Sequence, residues 1–150
     1  MHLNFLNLFT NFLIFITFSS LSFANSISFN GLLISDYWIK ETIGNQKITS
    51  GYLTIENTSN IDKRLVSLTS EISKKTQLHD MVIKNNIMKM RNLTEGLVIK
   101  ANSKVILKSR GYHIMFIKLQ KPLKVMNNYK VTLKFKSSGS LVIAMPVHNK

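Results

Sequence analysis

Short runs of alternating apolar and polar residues follow one another along the chain from Ile27 onward. The clearest run is Lys130–Lys136, in which Val131, Leu133 and Phe135 alternate with lysine and threonine. Strict alternation predicts a β-strand with one buried and one solvated face, because successive side chains of a strand point to opposite faces. The other runs predicted as strands are Ser28–Leu33, Asp36–Lys40, Gly51–Asn57, Arg64–Thr69, Gln77–Val82, Ile87–Arg91, Leu97–Ile99, Val105–Leu107, His113–Leu119 and Leu141–Val147.

Turn-forming residues separate these runs. Gly44-Asn45, Asn57–Asn60 and Asn102-Ser103 break the alternation, and Lys84–Asn86 is predicted to close a hairpin. Only Thr69–Lys75 shows a weak helical period. Many short strands at regular intervals predict an all-β protein, and one antiparallel sandwich or barrel accounts for the whole length.

The first 24 residues form a separate apolar segment. They contain no Lys, Arg, Asp or Glu, and Ser22-Phe23-Ala24 fits the small-x-small pattern of a signal-peptidase site. Residues 1–24 are therefore predicted to be a signal peptide that is cleaved after Ala24. An uncleaved anchor is the alternative, but polar residues interrupt the run and a spanning helix needs about 20 mostly apolar residues. The mature domain would then be residues 25–150, without stable insertion into a membrane.

Composition excludes several kinds of site. The chain has no cysteine, which rules out disulfides, zinc ribbons, cysteine nucleophiles and blue-copper centres. Its 20 basic and 7 acidic residues give a net charge of +13, which suits nucleic acid, anionic lipid or an acidic protein. The basic residues occur as singles and pairs rather than long runs, which argues against nucleic acid. A basic exported sandwich that binds an anionic partner without metal is one possible function.

Histidine and methionine are concentrated between residues 79 and 115. The stretch holds His79, Met81, Met88, Met90, His113 and Met115. Residues two apart in a strand share a face, so His113 and Met115 can present nitrogen and sulfur side by side, as can the sulfurs of Met88 and Met90. Both donors are neutral, and soft thioether sulfur suits Cu(I). Methionine also fills protein cores and a single histidine is usually structural, so the combined pattern, more than any one residue, predicts a site.

The residues favoured as metal ligands are His79, Met90, His113 and Met115, with Met81 and Met88 as accessory candidates. Zinc prefers thiolate, imidazole or carboxylate, and calcium and magnesium prefer oxygen ligands, so this set favours copper. A copper monooxygenase would need a second site of three histidines, more than the mature chain can supply. Asp80 either orients His79 or lies at the surface. Trp38 is expected in the core, and Tyr112 is expected to pack on the face opposite His113.

Several blocks of the sequence resemble the periplasmic copper chaperones called PCuAC. These blocks are Gly51–Asn57, Leu78–Met81, Met88–Arg91, Gly111–Met115 and Leu119–Leu123. The copper motif of that family is His, ten residues, Met, about twenty-one residues, His, one residue, Met. Here ten residues separate His79 from Met90 and 22 separate Met90 from His113. The resemblance extends over residues 31–147.

The resemblance implies a cupredoxin-like, Greek-key β-sandwich in a single domain, with His79, Met90, His113 and Met115 as the ligands of Cu(I). It also implies a non-enzymatic role, in which a monomer captures copper in the periplasm. The copper would pass to the copper-bearing subunit of cytochrome c oxidase or to another copper chaperone. Some members bind a second copper, as Cu(II), in a His- and Met-rich tail, for which this chain offers only Met145 and His148.

Overall fold

Eleven β-strands make up the regular structure of residues 26–150, the part of the chain that the computed structural model describes. The predicted signal peptide lies outside the described residues. The strands are β1 Ile27–Phe29, β2 Leu32–Lys40, β3 Ile48–Asn57, β4 Lys63–Ser70, β5 Ser73–Lys84, β6 Ile87–Asn92, β7 Leu97–Ile99, β8 Ser103–Leu107, β9 His113–Leu119, β10 Asn128–Phe135 and β11 Gly139–His148. Within residues 26–150, no helix is long and apolar enough to cross a membrane.

The all-β prediction is confirmed, whereas the helical expectation for Thr69–Lys75 is wrong. Those residues contain the end of β4, a tight turn at Glu71-Ile72 and the start of β5. The buried side chain of Ile72, 2% exposed, joins the core from this turn. The spacing that suggested a helix therefore comes from a strand connection with one anchored apolar residue.

The strands form two sheets that meet along one path of hydrogen-bonded neighbours, β6-β5-β9-β3-β2-β11-β10-β4-β7. We call β6, β5, β9, β3 and β2, with β1 paired to β2 and β8 paired to β3, the first sheet; β11, β10, β4 and β7 form the second sheet. Neighbours far apart in the chain, such as β4 and β10, give the crossed connectivity of a Greek key. All pairs are antiparallel except β2 and β11. These two strands run parallel, with Ile39 beside Val147 and Lys40 beside His148.

One hydrophobic core fills the space between the two sheets. Ile34, Ile55 and Ile114 enter it from the first sheet and Leu65 and Leu133 from the second, all with 0% exposure. Burying such a side chain contributes roughly 1.5–3 kcal/mol each. Because these residues occupy the inner face of the first sheet, the alternate residues of the same strands lie on its outer face.

Asparagine-containing turns close two of the hairpins. Asn30 (φ 47°) and Gly31 (φ 76°) connect β1 to β2, and Asn85 (φ 53°) and Asn86 (φ 61°) connect β5 to β6. Positive φ at both central residues gives the turn whose twist matches paired antiparallel strands. The predicted β5–β6 hairpin is confirmed, but Ser28–Leu33 is two strands joined by a turn and not one strand.

Candidate metal centre

The outer face of the first sheet places His79 and His113 side by side. His79 on β5 lies directly opposite His113 on β9, and directly opposed residues of an antiparallel pair project from the same face. Their ring centroids are 5.8 Å apart, with the ring planes inclined at 59°. The two imidazoles are therefore close enough to bind one ion between them.

The surroundings of His113 fix which of its nitrogens can bind a metal. The side chain is 5% exposed, and Nδ1 lies 2.8 Å from the carbonyl oxygen of Gly111. A carbonyl can only accept a hydrogen bond, so Nδ1 carries the proton and donates it. Nε2 then keeps its lone pair, which is the arrangement of a metal-binding histidine held by a backbone carbonyl.

His79 presents a nitrogen that has no other partner. Its Nε2 lies 3.4 Å from Oε1 of Gln77, an acceptor, which leaves the lone pair on Nδ1. Nδ1 is buried and makes no hydrogen bond within residues 26–150. An unsatisfied buried polar atom costs about 1–3 kcal/mol, and a metal ion bound at Nδ1 would offset that cost.

Three effects keep His79 in the neutral form that binds metal. Burial lowers the pKa of His79 below its ordinary value of 6.5, because imidazolium is poorly solvated there. The neighbouring His113 and Lys75 lower the pKa further through charge repulsion. At neutral pH the imidazole is therefore uncharged and ready to bind a cation.

Met115 brings a thioether to the same face. It lies two residues after His113 on β9, opposite Gln77 on β5 and opposite Ser50 on β3. The hydroxyl of Ser50 donates a hydrogen bond to Sδ of Met115 at 3.5 Å, which helps to fix the sulfur. The sheet register therefore brings His79, His113 and Met115 together.

The β5–β6 hairpin carries the other three candidate methionines on this face. Met90 lies opposite Met81, and Met88 lies opposite Ile83. Met81 is two residues from His79 on the same strand, so it is nearer to the histidine pair in the sheet register than Met90 is. Met88 and Met90 are 50% and 57% exposed. To reach the pair, the side chain of Met90 has to extend across β5.

Two contacts of the site could not be found from the sequence. Ser50 holds Met115 and Gly111 holds His113, and neither residue type signals such a role by itself.

Asp80 points to the other face of β5, where its carboxylate pairs with Arg91 at 3.3 Å. Asp80 is therefore the partner of Arg91 and does not orient His79.

Trp38 does not lie in the core as predicted. A β-bulge between Ser35 and Trp38 shifts the register of β2 against β3. Inserting a residue reverses which side chains face inward, so Ile39 enters the core and Trp38 lies half-buried on the outer face. Its ring contacts that of Tyr52, with centroids 4.7 Å apart and planes inclined at 48°.

Tyr112, in contrast, packs against the core as expected.

Met145 and His148 cannot share a metal ion. Met145 is fully buried in the core, with 0% exposure, whereas His148 lies near the ring of Trp38, at a centroid distance of 6.1 Å. Residues 26–150 also contain no group of three or more His, Asp or Glu side chains placed to bind a metal.

Sequence comparison assigns the family. The model of the family described as "Putative lipoprotein LpqE-like" matches residues 32–147. The chain belongs to the LpqE-like family. One relative, "Putative lipoprotein Lxx21020" from Leifsonia xyli subsp. xyli, is 30% identical over 118 residues, which cover 79% of this chain and 70% of the relative. The 150 residues of this LpqE-like protein include no cysteine that could carry a lipid.

Solved structures show the fold of this LpqE-like protein. The copper-bound PCuAC domain from PmoF2 superimposes with a TM-score of 0.70 at 17% identity, covering 84% of this chain and 99% of that domain. The apo PCuAC domain from PmoF1 gives 0.72 at 18% identity, covering 84% and 100%. Cu(I)-DR1885 from Deinococcus radiodurans gives 0.63 at 24% identity, covering 85% and 83%. The cupredoxin-like PCuAC fold that the sequence resemblance implied is therefore confirmed.

Proposed function

We propose that this LpqE-like protein is an exported copper carrier that binds one Cu(I) through His79, Met90, His113 and Met115. The observation that carries the proposal is the register of β5 and β9. It sets two imidazoles opposite each other, each with a free lone pair, and adds a fixed thioether two residues away.

The chemistry of these donors favours Cu(I) over other cations. Imidazole and thioether are uncharged, and thioether sulfur is a soft donor. A single positive charge needs no carboxylate to balance it. Copper-bound PCuAC domains of the same fold, from PmoF2 and as Cu(I)-DR1885, support this choice.

The exposures of the ligands suit a carrier better than a permanent metal centre. His113 is 5% exposed, whereas Met90 is 57% exposed on the hairpin. A recipient could therefore displace the thioether of Met90 first and the buried imidazole last, exchanging one ligand at a time. This stepwise exchange is a non-enzymatic delivery of copper.

The proposed setting is the periplasm, and the proposed recipient is the copper-bearing subunit of cytochrome c oxidase or another copper chaperone. The apolar segment of residues 1–24 supports export, as do the lipoprotein descriptions of the family and its relative. The PCuAC-like fold supports the choice of recipient, since the resemblance to that family implies it.

A competition titration tests the metal site. The purified protein is titrated with Cu(I) against a chromophoric chelator, alongside Met90→Leu and His113→Ala. We expect the parent protein to bind one equivalent of Cu(I) tightly. Both variants should bind Cu(I) more weakly by more than about 10- to 100-fold, the loss of metal affinity that follows when only the hydrogen-bond partner of a ligand is removed. Met126→Leu, at a residue that is 93% exposed and outside the site, should bind as the parent does. Absence of copper binding by the parent protein would refute the proposal.

The same titration decides between Met90 and Met81 as the hairpin ligand. Because Met81 is nearer in register to the histidine pair, Met81→Leu is compared with Met90→Leu at the same chelator concentration. The family motif predicts that Met90→Leu has the larger effect. A larger loss in Met81→Leu would reassign the fourth ligand while leaving the histidine pair in place.

A further inference from the structure

A second concave site lies on the outer face of the first sheet, beside the strands that carry the histidine pair. It is a cavity of about 490 Å³ bounded by β2, β3, β8 and the segment that follows β8. Cavities of roughly 300–1,000 Å³ are typical of small-molecule sites. Its size is therefore sufficient for a ligand of one or two rings.

Aromatic and aliphatic side chains form the apolar part of this cavity. Trp38 and Tyr52 lie directly opposite each other on β2 and β3, with ring centroids 4.7 Å apart and ring planes inclined at 48°. Ile106 on β8 stands next to them and is 47% exposed. Partly exposed aromatic rings on a sheet offer an apolar surface against which a planar ring can pack.

The bulge in β2 creates this surface. Asp36, within the bulge, has a φ of 52°, a conformation that costs a non-glycine residue free energy. Its carboxylate accepts hydrogen bonds from Ser35 at 3.2 Å and Thr54 at 3.3 Å. The irregularity turns Trp38 away from the core, and bulges are frequent where a side chain is redirected toward a functional site.

Positive charge surrounds the aromatic surface. Lys40, Lys108 and Lys150 line the cavity, against the single acidic side chain of Asp36. None of the three lysines forms an ion pair among residues 26–150. Nζ of Lys150 lies 5.9 Å from the ring centroid of Trp38. The cavity therefore combines an aromatic apolar surface with excess cationic groups.

We propose that this cavity binds a small organic anion with a planar apolar body, of the class of aromatic carboxylates. The ring of the ligand packs against Trp38 and Tyr52, and its carboxylate is attracted by Lys40 and Lys108. This site uses none of the proposed copper ligands, so it does not depend on the proposed function.

The single tryptophan of the chain provides the test. Trp38 is the only tryptophan, so ¹⁵N-labelled protein gives one indole N–H signal, which is followed during titration with 2-naphthoate. We expect a saturable shift of this signal, and clearly weaker binding of the uncharged 2-naphthylmethanol. Lys108→Gln should weaken 2-naphthoate binding about three- to tenfold, the effect of one nearby charge at the protein surface. Lys134→Gln, on the second sheet, should bind 2-naphthoate as the parent does.

The outcomes separate this site from the metal centre. His113→Ala should lose copper but bind 2-naphthoate with unchanged affinity, which would support two independent sites. The proposal is overturned if 2-naphthoate gives no saturable shift, or if 2-naphthylmethanol binds equally well. It is also overturned if Lys134→Gln weakens binding as much as Lys108→Gln, since the attraction would then come from the net charge of the protein.

Discussion

At the residue scale, His79 would set the range of pH over which the proposed site holds copper. Its imidazole must be neutral to bind a cation, so protons and Cu(I) compete for it. Burial and the nearby His113 and Lys75 lower the pKa of His79 below 6.5. The protonated form therefore appears only at a lower pH than it would for a free imidazole, and the site stays available through neutral pH.

Copper affinity should accordingly fall only when the pH drops below about 6.5, the ordinary imidazole value, because the pKa of His79 is lower than that value. Competition titrations between pH 7.5 and 5 measure this. Lys75→Gln removes a cation that repels the imidazolium form of His79, so the pKa of His79 should rise. The loss of copper affinity should then begin at a higher pH. An affinity that stays flat from pH 7 to pH 5 would show that the histidines do not bind the metal.

At the scale of the strands, the contact between β3 and β9 supports the site through a glycine. A Cβ atom added at Gly51 would lie 2.8 Å from Cε2 of Phe116, a fully buried ring on β9. Gly51 lies between Ser50, which holds Met115, and Tyr52, which forms part of the second cavity. The absence of a side chain at residue 51 therefore leaves room for the ring of Phe116 beside the residues of β3 that belong to both sites.

Gly51→Ala should lower the free energy of unfolding by about 1–3 kcal/mol, the usual cost of overpacking a core. Urea denaturation of the apoprotein measures the change. Gly111→Ala is the matched control, because its added Cβ would make only ordinary contacts, 3.7 Å from Lys108, and surface substitutions usually change stability by less than about 0.5 kcal/mol. Equal stability of Gly51→Ala and the parent would mean that Phe116 can move aside.

Local signals in the sequence predicted most strands but not how they pair. The strand His113–Leu119 is predicted with both of its ends, because alternation and the preceding Gly111 define it locally. The prediction of Ser28–Leu33 as one strand overlooks the turn at Asn30-Gly31, although the Asn-Gly dipeptide, whose residues both adopt positive φ here, is the strongest local sequence signal for a hairpin. The bulge before Trp38 had no local signal, and it reversed the predicted face of that residue.

The candidate ligands show the same limit. Spacing of two residues predicted that His113 and Met115 share a face, which the structure confirms. The pairing of His79 with His113 depends on the non-local register of β5 against β9, which no short pattern in either strand defines. The hydrogen bond of Ser50 to Met115 likewise requires a third strand, β3, to lie beside β9.

At the scale of the whole molecule, positive charge is the dominant electrostatic feature. The net charge is +13, and the ion pairs of residues 26–150 engage only Arg91, Lys100 and Lys124 among the basic residues. Lys84 and Lys89 are exposed on the β5–β6 hairpin that also carries Met90. A field of this kind attracts an acidic partner over a distance of about 10 Å at 0.1 M salt.

Transfer of copper to an acidic recipient domain should therefore slow as salt rises. Stopped-flow mixing of the Cu(I)-loaded protein with the copper-accepting domain of cytochrome c oxidase should show a second-order rate that falls about tenfold or more from low to high salt. The Cu(I) affinity, set by neutral ligands, should change little. Replacing Lys84 and Lys89 by glutamate should slow transfer more than replacing Lys130 and Lys134 by glutamate. All four lysines are exposed, but Lys84 and Lys89 lie on the hairpin, whereas Lys130 and Lys134 lie on the second sheet. A rate that is independent of salt would mean that the charge plays no part in docking, and equal slowing by both pairs would place the docking surface away from the hairpin.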